Sequence, residues 1–276
     1  MKAHILVDNN TLIDQYYLAE PGFSVLIEVD EHRILFDTGY SDIFIRNGLK
    51  MGLDLTHLDY LVLSHSHLDH TWGLEPLIRY YSELKIAGIP HSKPALVAHS
   101  QTFISVTEDG FGEFGSLMSK EKLAKHFQLE LTDQPRWLSD RLVFLGQIPR
   151  ENNFESMILF GKKDGSDEGD WVIEDSALAY KSGDGLVIIT GCSHAGICNI
   201  IEYAKAVCSE DRINDVVGGL HLQNPVEKQL QGTLNYFKKL GLKRIHACHC
   251  TDLQSKIALS EVVEIKEVGV GLSLTY

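Results

Sequence analysis

The 276-residue chain has little of what would make it a membrane, secreted or nucleic-acid-binding protein. No apolar run approaches the roughly 18 residues a bilayer span requires. The start, MKAHILVDNN, carries one lysine and a few apolar residues before Asp8, so it does not read as a signal peptide. Cysteine is scarce and odd in number, five in all, and no spacing suggests a disulfide framework, so reduced thiols and a cytoplasmic location are expected. Positive charge is also short. Lys+Arg 25 against Asp+Glu 38 leaves a net charge of −13, which disfavours a nucleic-acid backbone as partner. No Pro/Ser-rich linker divides the chain, and no GxGxxG phosphate loop appears early, which counts against a doubly wound α/β sheet.

What is abundant is histidine at strand ends. The apolar run Tyr60-Leu61-Val62-Leu63 reads as a buried strand and leads into Ser64-His65-Ser66-His67-Leu68-Asp69-His70. In a strand tail His65 and His67 point to one side. From Leu68 the pattern turns helical, through about residue 81, and places Asp69 and His70 in the first turn. Two ligand pairs result, a composition suited to zinc, iron or manganese and to two ions sharing one water. Without a cation, burial of four such groups would be costly. Three later apolar runs end the same way. LVIIT precedes Gly191-Cys192-Ser193-His194, VVGGL precedes His221, and Arg244-Ile245-His246-Ala247-Cys248 precedes His249. Strands ending near 64, 190, 221 and 249 each deliver a histidine where the chain turns, and one convergent site explains all four.

Around this frame, residues 2–7 read as a first strand, and 24–29 with 33–36 as a hairpin ending in Asp37-Thr38-Gly39. Asp37 has two readings, a partner that fixes a ligand histidine or a cap of the turn before a helix at 43–49. His99, alone at the end of strand 95–98, reads as a cap rather than a ligand. Residues 105–135 are rich in glycine, serine and acidic groups ahead of a helix at 120–127, and form either a lid or a surface insertion. The acidic stretch 163–170 reads as a solvated loop. Strands follow at 176–181 and 185–190, with helices at 197–208 and 226–240, the last capped by Gly241. If strand 245–250 turns His249 toward the site, His246, Cys248 and Cys250 face the other way as core residues.

The His-x-His-x-Asp-His signature after an apolar strand resembles that of the metallo-β-lactamase superfamily. The resemblance implies an α/β fold, a four-layer αββα sandwich, formed by the whole chain 1–276 with 105–135 as its insertion. On this reading His65, His67 and His194 make one metal site and Asp69, His70 and His249 a second. GCSHAGICNII, VVGGLHL, HCT and IPR…FE narrow the likeness to the subgroup named after 7,8-dihydropterin-6-yl-methyl-4-(β-D-ribofuranosyl)aminobenzene 5′-phosphate synthase. Trp72, Pro21 and Asp252 depart from that subgroup's pattern near the expected pocket. Cys192 stands where many superfamily members carry a bridging aspartate, and is either a ligand or a neighbour of the ligands. His221 is either a ligand or, as favoured, a proton-transfer or substrate-binding group; Asp69 joins it as a catalytic candidate. Arg150 and Glu155 are candidates for substrate binding, Arg150 through bidentate hydrogen bonds to phosphate or carboxylate.

The expectation is a metal-dependent hydrolase or transferase holding two divalent ions, zinc foremost, with iron or manganese as alternatives. Its substrate is a small anionic molecule, phosphorylated or pterin-like. Competing readings are a di-iron redox enzyme and a non-catalytic metal sensor. A nucleic acid or membrane partner is not expected, and the sequence leaves the oligomeric state open.

Overall fold

The computed structural model describes residues 1–166 and 168–276. Two seven-stranded sheets lie face to face. The first runs in the order Ser273–Thr275, Lys2–Val7, Ser24–Val29, His32–Phe36, Tyr60–Val62, Ala95–Ala98, Gln128–Leu131. The second runs Glu264–Ile265, Arg244–Cys248, Ile213–Gly219, Gly185–Thr190, Ala177–Ser182, Leu142–Phe144, Arg136–Trp137. Both mix an antiparallel half with a parallel one, and the parallel pairs include those that end at the site histidines: Tyr60–Val62 beside His32–Phe36, and Gly185–Thr190 beside Ile213–Gly219 beside Arg244–Cys248.

Apolar side chains on both faces of these strands create three cores. Ile5, Val25, Phe36 and Val62 meet Phe144, Leu178, Ile189 and Val217 between the sheets. Ile188, Val216 and Ile245 face helix Ile197–Cys208 and helix Glu227–Leu240 on one outer side. Leu26, Leu35 and Leu61 face helix Ile43–Lys50 and helix Leu74–Ile86 on the other. A sheet apolar on both faces must be covered on both. The result is the αββα sandwich expected from the signature.

Several elements differ from expectation in ways that matter for the site. The helix read over 68–81 is two, Leu68–Thr71 and Leu74–Ile86. The break is at Gly73, whose N–H donates to the Gly39 carbonyl. A Cβ there would lie 2.2 Å from the Thr38 carbonyl oxygen, so this close approach requires glycine. The helix read at 120–127 is shorter, Lys120–Leu123. Within 105–135, Val106–Glu108 and Gly112–Glu113 pair with each other, and Lys162–Lys163 joins them in a three-stranded sheet. The stretch 163–170 is not simply a solvated loop, although Asp167 lies outside the described residues. Lys163 is buried, with Nζ 2.7 Å from Glu174 and 3.3 Å from Asp170. Among the described residues no helix is long and apolar enough to cross a membrane.

Candidate metal centre

The four histidine-bearing strand ends meet at one edge of the sandwich. Strand Tyr60–Val62 ends below the loop carrying His65 and His67, and the short helix Leu68–Thr71 sets Asp69 and His70 beside them. The parallel strands Gly185–Thr190, Ile213–Gly219 and Arg244–Cys248 end beside them at His194, His221 and His249. The candidate donor atoms of His65, His67 and His194 lie within 4.8 Å of one another, and so do those of Asp69, His70 and His249. Both trios read from the sequence are therefore assembled.

Hydrogen bonding assigns which nitrogen of each ring is free. Asp37 is fully buried, with Oδ2 2.7 Å from Nδ1 of His70 and Oδ1 accepting from the Ser64 N–H at 2.7 Å. Of its two readings the structure supports the first: it grips a site histidine and the metal loop together. His70 is thereby left with Nε2 facing the cluster. The Nδ1 of His65 pairs with Ser64 Oγ at 2.8 Å, and its Nε2 is buried without a partner. His67 Nε2 and both ring nitrogens of His194 are likewise buried and unpartnered. Buried polar atoms are rarely left so, and one unpartnered nitrogen on each of three clustered rings fits a bound cation. Burial also keeps these rings neutral, as ligands must be: it holds His67 down to about 4 and His65 and His194 well below the ordinary range. Burial disfavours charge on Asp69, but the nearby His70 and the hydrogen bond from His249 hold it well below the usual carboxylate range. Burial opposes charge on His249 too, yet Asp69 at 3.3 Å raises it to about 9.

Cys192 stands inside the second trio. Its Sγ is 3.3 Å from Nε2 of His70 and 3.1 Å from Nε2 of His249. Cys250 is a correction. The strand stops at Cys248, and His249 takes φ +50, which breaks the alternation that would have turned Cys250 away. Its sulfur falls in one group with Cys192 and His249. Cys248 does remain in the core between the sheets. Gly191 permits the tight turn: a Cβ there would lie 2.2 Å from Ser64 Oγ and 2.9 Å from Asp37 Oδ2.

His221 sits beside the first trio, its ring centroid 4.4 Å from that of His194, and its Nδ1 is buried without a partner. Glu155 is not a pocket residue. Its carboxylate accepts from the Cys198 N–H at 3.0 Å, the Asn199 N–H at 3.3 Å and Asn152 Nδ2 at 2.7 Å, so it is used up capping helix Ile197–Cys208. Arg150 is half-buried and donates to the Val172 carbonyl at 2.7 Å, near the carboxylates of Asp175 and Glu174. That contact holds it as part of the scaffold. His99 is a satisfied core histidine, accepting at Nδ1 from the Gln101 N–H and lying 3.3 Å from Asp133.

Sequence reasoning missed several neighbours. Asn9 Oδ1 lies 3.1 Å from Nδ1 of His249, and the Asp8 carboxylate accepts the His249 N–H at 3.0 Å. Their place just after the first strand was the only signal. Asp175 is fully buried beside His65, 4.0 Å from its Nδ1, and burial pushes its carboxyl up to about 7. Phe114 and Phe160 flank His67, with ring centroids at 4.6 Å and 5.6 Å. Of the atypical residues, Trp72 donates from Nε1 to the Gly115 carbonyl at 2.8 Å and ties the 105–119 loop to this edge. Asp252 caps helix Leu253–Leu259 through the Ser255 N–H.

Residues 18–207 match the family model described as the metallo-beta-lactamase superfamily. An uncharacterized protein of Methanocaldococcus jannaschii is 33% identical over 260 residues, covering 94% of this chain and 93% of its own. The 7,8-dihydropterin-6-methyl-4-(beta-D-ribofuranosyl)-aminobenzene-5′-phosphate synthase of the same organism is 30% identical over 282 aligned residues, covering 97% and 92%. Among solved structures, Tm1679, a metal-dependent hydrolase of the beta-lactamase superfamily, superposes with a TM-score of 0.81 at 26% identity, covering 100% of this chain and 99% of its own.

Proposed function

The chain belongs to the metallo-β-lactamase superfamily, and from that premise we propose that it is a metal-dependent enzyme holding two divalent cations and acting on a small anionic substrate, phosphorylated or pterin-like, by hydrolysis or group transfer. One observation carries the reading: His65, His67 and His194 each have a buried imidazole nitrogen with no hydrogen-bond partner, and the candidate donor atoms of the three lie in one cluster. His65, His67 and His194 would hold one ion, and Asp69, His70 and His249, with Cys192 against them, the other. A donor set rich in imidazole and carrying one carboxylate suits zinc first, with iron or manganese compatible. Such ions, when bound, lower the pKa of a water enough to make it a nucleophile near neutral pH, and offset negative charge on a substrate.

The protein's own contribution is orientation and exclusion. Asp37 and Asn9 keep His70 and His249 in the tautomers that present Nε2, and Phe114 and Phe160 keep solvent from His67. His221, partly exposed beside His194, is positioned to hold or deliver the proton a leaving group needs. The net charge of −13 favours a small molecule over a nucleic acid as partner. The printed name of the 30% identical relative supports a phosphorylated substrate class.

Metal analysis of protein purified from unsupplemented cells, with a visible spectrum, tests the reading. Near two equivalents of a colourless divalent ion are expected, with turnover on a panel of phosphate esters, lactones and pterins that His65→Ala abolishes. An iron spectrum with oxygen consumption would replace it by a redox enzyme, and bound metal with no turnover by a sensor.

A further inference from the structure

The histidines of the first trio are nearly sealed. His65 is fully buried, and His67 and His194 are 4% and 6% exposed. The space left beside His194 and His221 is about 10 Å³, lined by Ser193 and by Ser156, Met157, Ile158 and Phe160. That volume takes at most one water. Past His194 and His221, a substrate of the proposed class cannot reach an ion held by the first trio until something clears, although Asp69 of the second trio is partly exposed.

Phe160 is what stands in the way. Its ring centroid is 4.7 Å from His194, 5.2 Å from His221 and 5.6 Å from His67, so one side chain covers three rings of the site. The residues before it are less enclosed: Met157 and Ile158 border the same small space, yet Met157, Ile158 and Leu159 are 60%, 46% and 47% exposed. Three consecutive apolar residues with about half their surface in water are packed more weakly than a core, so they restrain the Phe160 ring less than a core would. The backbone at Phe160 is tied down, with its N–H on the Asp170 carbonyl at 2.8 Å and the Asp170 N–H on the Gly161 carbonyl at 3.0 Å. The strand that follows is anchored through Lys163 to Glu174, which also accepts from Ser66 between the two metal-loop histidines at 2.6 Å. The ring and the span before it can therefore move while the chain on the far side stays fixed to the metal loop.

We propose that Phe160 is the specificity-determining residue of this centre: its ring occupies the place of the substrate above the histidines and admits only what can displace it. The proposal rests on the cation-binding reading given above. Removal of zinc from the loaded protein by EDTA tests it without any substrate. In the wild-type protein the rate for the ion of the first trio, the slower of the two to leave, is expected not to depend on EDTA concentration, because the ring must first swing out. In Phe160→Ala the rate should be about tenfold faster and rise with EDTA concentration, since the truncated side chain no longer fills the approach. Phe160→Leu should fall between the two, and Leu159→Ala, on the exposed side, should match wild type. Equal zinc content and circular dichroism across the variants establish that each is folded. The same EDTA dependence in wild type and Phe160→Ala, at equal zinc content, would overturn the role of Phe160 alone. Failure of the wild-type protein to bind any divalent ion would overturn that role together with the metal-centre reading.

Discussion

Nδ1 of His70 stands 2.7 Å from Oδ2 of Asp37, with both side chains fully buried, and the same carboxylate accepts from the N–H and Oγ of Ser64 immediately before the metal loop. One residue thus orients a candidate ligand ring and pins the backbone that carries two more candidates. Asp37→Ala should lower metal affinity by about 10–100-fold, as loss of such outer partners does elsewhere. Competition titration with a chromophoric chelator measures it; unchanged affinity would sink the assignment.

Glu155 separates structure from substrate binding. Its loss leaves buried N–H groups of Cys198 and Asn199 without an acceptor. Glu155→Ala should cost about 1–3 kcal/mol in a urea melt. Metal content should stay at the wild-type level. A variant of normal stability with a raised KM would restore the residue to the pocket.

Lys163 is the cation for two buried carboxylates, Glu174 and Asp170. Lys163→Met should destabilise by about 3–5 kcal/mol, because the charges left behind stay buried. Adding Glu174→Met to it should recover part of that loss. A purely additive double variant would mean the two residues do not interact.

His67 gives a pH signature. Burial disfavours its charged form, moving it from 6.5 to about 4 in the folded protein. Between those values the unfolded chain takes up the proton and the folded one does not. This group therefore costs no stability above pH 6.5 and a growing amount as pH falls toward 4. In metal-free protein its ring resonance, assigned with His67→Gln, should titrate near pH 4. A midpoint near 6.5 would show the ring to be solvated.

The cysteines can be told apart. Cys192→Ser should weaken binding of the second ion, since its sulfur touches two of that ion's candidate ligands. Cys248→Ala, between the sheets, should leave metal stoichiometry unchanged. Metal analysis of the two purified variants decides.

The cluster 65–70 was legible because its donors are close in sequence, so local geometry alone brings them together. His194, His221 and His249 were legible because each follows an apolar strand, and parallel strands of one sheet end at one edge. One convergent site follows from those local patterns, whereas its division into two trios and the sandwich came from the family resemblance that the signature carries. What tertiary structure decided was everything that depends on a single backbone angle or on residues far apart in the chain. The left-handed turn at His249 brings Cys250 in, where period-two reasoning sent it out. Glu155 meets a helix start more than forty residues away, Asn9 meets His249 from the opposite end of the chain, and Phe160 arrives from a loop with no motif at all. Residue types and strand periodicity are local properties and survive in a sequence. Which nitrogen is free, which carboxylate is already used and which ring blocks the way are properties of contacts, and contacts form only when the sheets close on each other.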